Sequence, residues 1–164
     1  MCFLRFRSPP RLKIYATVAA FRNSTGEPGW VAASTRGRTI QMQPADVLRR
    51  AGTLESTLHH ELLHMLIESY ARSGTPLWFR EGLVLYLAGP NPPTSAASSF
   101  EDVAALEKAL RSPASEEQMR AAYAEAQRRV AQLARQHGKE ALLGWVQNGL
   151  PTEVASGTRA SPGR

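Results

Sequence analysis

The sequence has almost no sulfur chemistry to offer. Its one cysteine is Cys2, so a disulfide framework and a cysteine-based zinc site are both excluded. No apolar run is long enough to span a bilayer, and no membrane-crossing helix is expected. The opening stretch is broken by Arg5, Arg7, Pro9 and Pro10, too polar for the apolar segment of a secretory leader. That points to the cytoplasm. The abrupt start at Met1-Cys2-Phe3 leaves open whether the chain is cut from a longer protein. Aromatic residues are few, at 7%, and no Lys/Arg-rich block is interleaved with them, as it would be in a reader of single-stranded nucleic acid.

What is present reads as a globular domain. The chain has 164 residues, 43% apolar and 21% charged. That is enough to bury a core and too apolar for wholesale disorder. The net charge is +6, and its distribution matters more than its size. Residues 1–52 carry nine basic and two acidic side chains, residues 53–110 three and seven, and residues 111–164 eight and five. Basic flanks surround an acidic middle. A basic nucleic-acid-binding module is therefore the weaker reading, a solvated basic surface the stronger one, and no nucleic-acid partner is expected.

The pattern of apolar residues gives an α+β chain. Leu12 to Val18 alternates and is rich in β-branched residues, which predicts a strand. Ala19 to Asn23 predicts a short helix, closed by Ser24-Thr25-Gly26. Trp30–Thr35 and Arg38–Gln43 predict a hairpin joined at Arg36-Gly37, and Ala45–Arg50 a helical turn. From Thr53 the period becomes helical. Leu54, Leu58, Leu62, Met65 and Leu66 make one stripe, with Thr53 as N-cap and Gly74 as the residue past the end. Pro76 opens a further helix through Leu87. Ser98 with Glu101 predicts a capped helix to about Arg111, and Ser115 with Gln118 another to Gln136. Lys139–Asn148 is the last helix. One domain over residues 1–150 and a frayed tail over 151–164 are expected, with no internal repeat.

The chemistry lies in His60-Glu61-Leu62-Leu63-His64. On a helix, positions i and i+4 share a face about 6 Å apart along the axis. Two imidazoles so placed can converge on one metal ion. Glu61, rotated by about 100°, is placed to hold a metal-activated water rather than to ligate, as in the H-E-x-x-H zinc motif. His59 is out of register. The plain alternative is two unremarkable histidines. It fits poorly with neighbours Leu58, Leu62, Leu63, Met65 and Leu66, among which three polar groups without a partner would be costly. A catalytic zinc takes three protein ligands and keeps one position open. Without a usable cysteine the third must be His, Asp or Glu. Glu81 is the first acidic residue on the next predicted helix, which, antiparallel to the histidine helix through Ser73-Gly74-Thr75-Pro76, would bring it back past the histidines, and Gly82 beside it would let the two backbones approach. The plain alternative there is an exposed helix glutamate.

This combination, with Pro76-Leu77-Trp78-Phe79-Arg80-Glu81-Gly82-Leu83-Val84-Leu85-Tyr86 after the histidines, resembles the gluzincin zinc metallopeptidases. More narrowly, it resembles their small peptidase MA-like domains, whose second helix reads W-x-x-E-G. The match is close from Thr53 to Leu87 and looser outside it. Phe21 to Leu87 is also similar to domains attached to bacterial sporulation and amidase-enhancer (SpoIID/LytB-like) proteins. The resemblance implies a zincin-like fold: a small mixed sheet with an antiparallel edge strand, the HExxH helix, a glutamate helix and C-terminal helices. It implies Zn2+ held by His60, His64 and Glu81, with Glu61 as general base and later acid. It implies a peptide or protein substrate lying along the edge strand Trp30–Ser34, with Arg38–Gln43 behind it. Relatives often carry a polar residue four positions after the glutamate ligand, where this chain has Leu85. Gluzincins also use a Tyr or His to stabilise the oxyanion. Tyr86 would face away from the metal. His137 reads more simply as a helix C-terminal residue, and Tyr123 is the candidate. The competing functional class is a zinc-bearing interaction module without activity. Oligomeric state is left open.

Overall fold

The computed structural model describes residue 6, residues 8–89 and residues 100–156. They belong to an α+β chain that clusters into two compact units, Met1–Ser69 and Tyr70–Arg164.

The first unit is built on a three-stranded mixed sheet. Strand β1 (Arg11–Ile14) is followed by helix α1 (Val18–Thr25), then by β2 (Ala33–Arg36) and β3 (Thr39–Met42). The order across the sheet is β1-β3-β2, with β1 parallel and β2 antiparallel to β3. The predicted first strand is cut short because Thr17 caps α1 instead. Its hydroxyl accepts from the Ala20 N–H at 3.0 Å, a local bond that competes with the ladder. The hairpin turns through Gly37 and Arg38, since Arg36 pairs with Thr39. Gly37 takes φ 58°, the positive value that the first position of a tight hairpin turn needs.

Helices α2 (Ala45–Arg50) and α3 (Leu54–Glu68) follow. Ala33, Ile40 and Met42 share one face of the sheet and pack with Leu48 and Met65, joined by Leu54, Leu58 and Leu62. The predicted stripe on α3 is thus the one that meets the sheet. On the opposite face the Tyr15 and Phe21 rings meet edge to face at 5.8 Å, and the Tyr15 hydroxyl donates to Gln41 Oε1 at 2.6 Å.

Helix α3 ends at Glu68, well before Gly74. Ser69 closes it, donating its hydroxyl to the Leu66 carbonyl at 2.7 Å. Gly74, at φ 88°, instead serves the turn in which the Thr75 N–H donates to the Arg72 carbonyl.

The second unit is helical: α4 (Leu77–Ala88), α5 (Val103–Arg111), α6 (Glu116–His137), α7 (Lys139–Asn148) and α8 (Thr152–Ala155). Trp78, Phe79, Leu83, Val84, Leu106, Val130, Leu142 and Val146 form its buried core. The N-cap of α5 is Asp102, which accepts from the Ala105 N–H at 2.7 Å. The predicted cap Ser98 lies outside the described residues. Ser115 caps α6 as predicted, while Gln118 reaches back to the Ala114 N–H rather than to that of Ser115. Part of the expected tail is helix α8, and the rest lies outside the described residues. Among the described residues, no helix is long and apolar enough to cross a membrane.

Candidate metal centre

In the first unit, α3 sets His60 and His64 one turn apart, both half-buried. Their Nε2 atoms are 3.0 Å from each other. The rings meet edge to face, with centroids 4.6 Å apart. At this separation two neutral imidazoles either share a proton or direct both lone pairs at one cation. Zinc–nitrogen bonds of about 2.0–2.1 Å in a tetrahedral arrangement place two nitrogens about 3.3 Å apart. The pair is within a few tenths of an ångström of that spacing, so the donor set on α3 fits a divalent metal. His59 is exposed, as its register requires.

Glu61 lies between the two histidines in sequence and is 8% exposed. A carboxylate buried to that degree needs donors. One is Thr35, whose Oγ1 donates to Glu61 Oε2 at 2.7 Å. Thr35 pairs with Ile40 and so faces the same side of the sheet as Ala33 and Met42, toward α3. The hydroxyl ties the edge strand to the carboxylate and restricts its rotamer. Thr35 escapes sequence reasoning about the site. The available signal is weak: a hydroxyl residue in the inward row of an otherwise apolar hairpin.

In the second unit, Glu81 is half-buried on α4. The helix start is fixed by Glu107, whose Oε1 accepts from the Trp78 N–H at 2.7 Å. Gly82, the next residue after Glu81, is where α6 comes closest. A Cβ there would stand 2.7 Å from a Val130 methyl and inside the van der Waals shell of the Ala126 carbonyl. The close approach that Gly82 makes is with α6, a helix that the sequence did not single out as its neighbour. Tyr123 is half-buried on α6, one turn before Gln127. Gln127 donates to the Leu85 carbonyl at 3.1 Å, so a polar side chain from α6 stands at the level where α4 itself offers only Leu85. His137 ends α6 with its ring against Trp145 at 5.1 Å, which suits a structural role.

The structure thus gathers His60, Glu61 and His64 on one helix of the first unit, with Thr35 added. Glu81 and Tyr123 lie on two packed helices of the second. Comparison with family models, with curated proteins and with solved structures gives no match. The functional reading rests on these residues and their chemistry.

Proposed function

We propose that the protein is a zinc-dependent metallopeptidase of zincin-like architecture, with His60, His64 and Glu81 as the ligands. The observation that carries the reading is the facing Nε2 pair at 3.0 Å beside a buried carboxylate held by a threonine. Each of His60, His64 and Glu81 is half-buried and offers one ligand atom, a donor set of the kind that holds a metal ion. Two neutral imidazoles and one carboxylate leave a net positive charge on a divalent ion, as suits a catalytic centre.

When bound, zinc supplies Lewis acidity that polarises a carbonyl and makes water nucleophilic near neutral pH. Glu61 takes the proton from the attacking water and hands it to the leaving amine as the peptide C–N bond breaks. The Thr35 hydroxyl keeps the carboxylate turned for both transfers. Tyr123 is the proposed donor to the oxyanion.

The test joins metal content to turnover. Purified protein holds about one zinc per chain, and His64→Ala and Glu81→Ala lose it. Glu61→Gln keeps the metal, and its turnover of a quenched-fluorescence peptide library falls about 10²–10⁴-fold. Full zinc retention in both ligand variants would overturn the centre. Undiminished turnover by Glu61→Gln would remove the base. A zinc-loaded wild type silent on every peptide would instead make the chain an inactive zinc-bearing module.

A further inference from the structure

Strand β1 is an end strand of the sheet, with β3 on one side and no strand among the described residues on the other. The Arg11 N–H donates to the Arg38 carbonyl and the Tyr15 N–H to that of Met42. By the alternation of a parallel ladder, Arg11, Lys13 and Tyr15 direct their amides to β3. Leu12 and Ile14 therefore turn their N–H and C=O groups to the open edge. All four residues of the strand are exposed.

The side chains of this edge are sorted by face. Leu12 pairs with Ile40 and Ile14 with Met42. Their side chains thus continue the apolar face of the sheet past its covered part, at 50% and 46% exposed. Arg11 and Lys13 stand on the opposite face, beside Thr39 and Gln41, where Lys13 Nζ lies 4.5 Å from the centre of the Tyr15 ring. In the sequence the first acidic residue is Glu27, and every charged side chain before it is a cation.

We propose that β1 docks an extended segment of a partner protein in which acidic and apolar residues alternate. Its backbone pairs with the open amides and carbonyls of Leu12 and Ile14, the strand-addition mode of recognition. Its apolar side chains cover Leu12 and Ile14, and its acidic ones face Arg11 and Lys13. Period-two alternation is what a strand on this edge must have. A second copy of the chain is the poorer occupant. Edge-to-edge pairing of two β1 strands would bring Arg11 and Lys13 against their own duplicates, a common device against self-association. The cations that repel a copy select an acidic strand. This docking site does not depend on the metallopeptidase reading.

The test uses the full chain and a short fluorescein-labelled peptide alternating Glu and Val, followed by anisotropy. The Glu/Val peptide is expected to bind saturably, more weakly as salt rises. A Lys/Val peptide should not. The double variant Arg11→Glu/Lys13→Glu should lose about tenfold in affinity for the acidic peptide and gain the basic one. Methylating alternate backbone nitrogens of the peptide tests the edge without touching the protein. One of the two methylated phases is expected to abolish binding. Equal binding of acidic and basic peptides, indifference to methylation in both phases, or no saturable binding would overturn the proposal. So would a dimer in sedimentation that the double variant dissolves, which would hand the edge to a second copy.

Discussion

The two units bury different things. In the second, Trp78, Phe79, Leu83, Leu106 and Leu142 are buried, and every exposed large hydrophobic among the described residues belongs to the first. The first unit leaves Leu12, Ile14 and Trp30 exposed while burying Glu61, Gln43 and Thr25. Both units bury polar groups that hydrogen-bond within the fold: in the first, Gln43 donates to the Gly29 and Val31 carbonyls and Thr25 to that of Phe21, and the second has its own. Glu125 is bound by Arg128 and Arg129 one turn on, and Gln127 by a helix carbonyl. In the first unit a buried carboxylate stands beside two imidazoles that face each other. A tightly packed unit and one that carries the histidine pair and open surface should respond differently to substitution.

The largest effect is expected at Gly82. The α4–α6 contact has no room for a Cβ there, and the nearest obstacle is backbone. Gly82→Ala should cost about 3 kcal/mol, the upper end for overpacking, read as a lower denaturant midpoint. Trp78 and Trp145 both lie in this unit, so tryptophan fluorescence reports the loss. A variant as stable as the wild type would mean that α4 and α6 slide apart at little cost, and the contrast with the first unit would disappear.

A smaller effect, with a pH signature, is expected at Glu125. Burial pushes its carboxyl up, but the hydrogen bonds and charges of Arg128 and Arg129 outweigh that and hold it below the ordinary value. A carboxyl depressed in the folded state stabilises the fold above its unfolded pKa. That contribution is lost as pH falls through the depressed value. Glu125→Gln should therefore cost about 1–2 kcal/mol near neutrality, and the difference from wild type should shrink as the solution is acidified. A penalty independent of pH would assign the effect to packing rather than to the ion pairs.

How much of this was legible in the chain follows from the range of each interaction. His60, Glu61 and His64 could be placed together because i and i+4 meet by helix geometry alone. The stripe from Leu54 to Met65 was legible for the same reason, as were the Ser115 cap of α6 and the αL Gly26 after α1. What failed were choices between equally local signals. Thr17 could extend a strand or cap a helix, and it caps. Gly74 could end α3 or serve a turn. It serves the turn, because the chain at Arg72 is tied to α7 through the Val146 and Asn148 carbonyls. Thr35 was illegible as a site residue because its bond to Glu61 spans 26 positions and depends on the hairpin register.

Thr35 supplies the sharpest probe of the first unit. Thr35→Val keeps the shape and suits a strand, but it removes the donor to Glu61 Oε2. One hydrogen bond to a charged group is worth about 1.5–3 kcal/mol, and the better strand residue offsets part of that, so the melting temperature should fall by a few degrees. In the proposed reaction there is a consequence separate from stability. A carboxylate that can turn away spends less time aligned with the attacking water, and the expected loss is about tenfold in kcat, since a base helps only when geometrically in reach. Zinc content and KM should stay as in the wild type, because Thr35 is neither a proposed ligand nor a proposed substrate contact. Thr35→Ser keeps a hydroxyl that can reach the same oxygen, so it should restore most of the rate. A Thr35→Val enzyme with full kcat would mean that the hydroxyl fastens the edge strand to α3 and does nothing for the base. A loss of zinc in the same variant would place the defect in the metal centre itself.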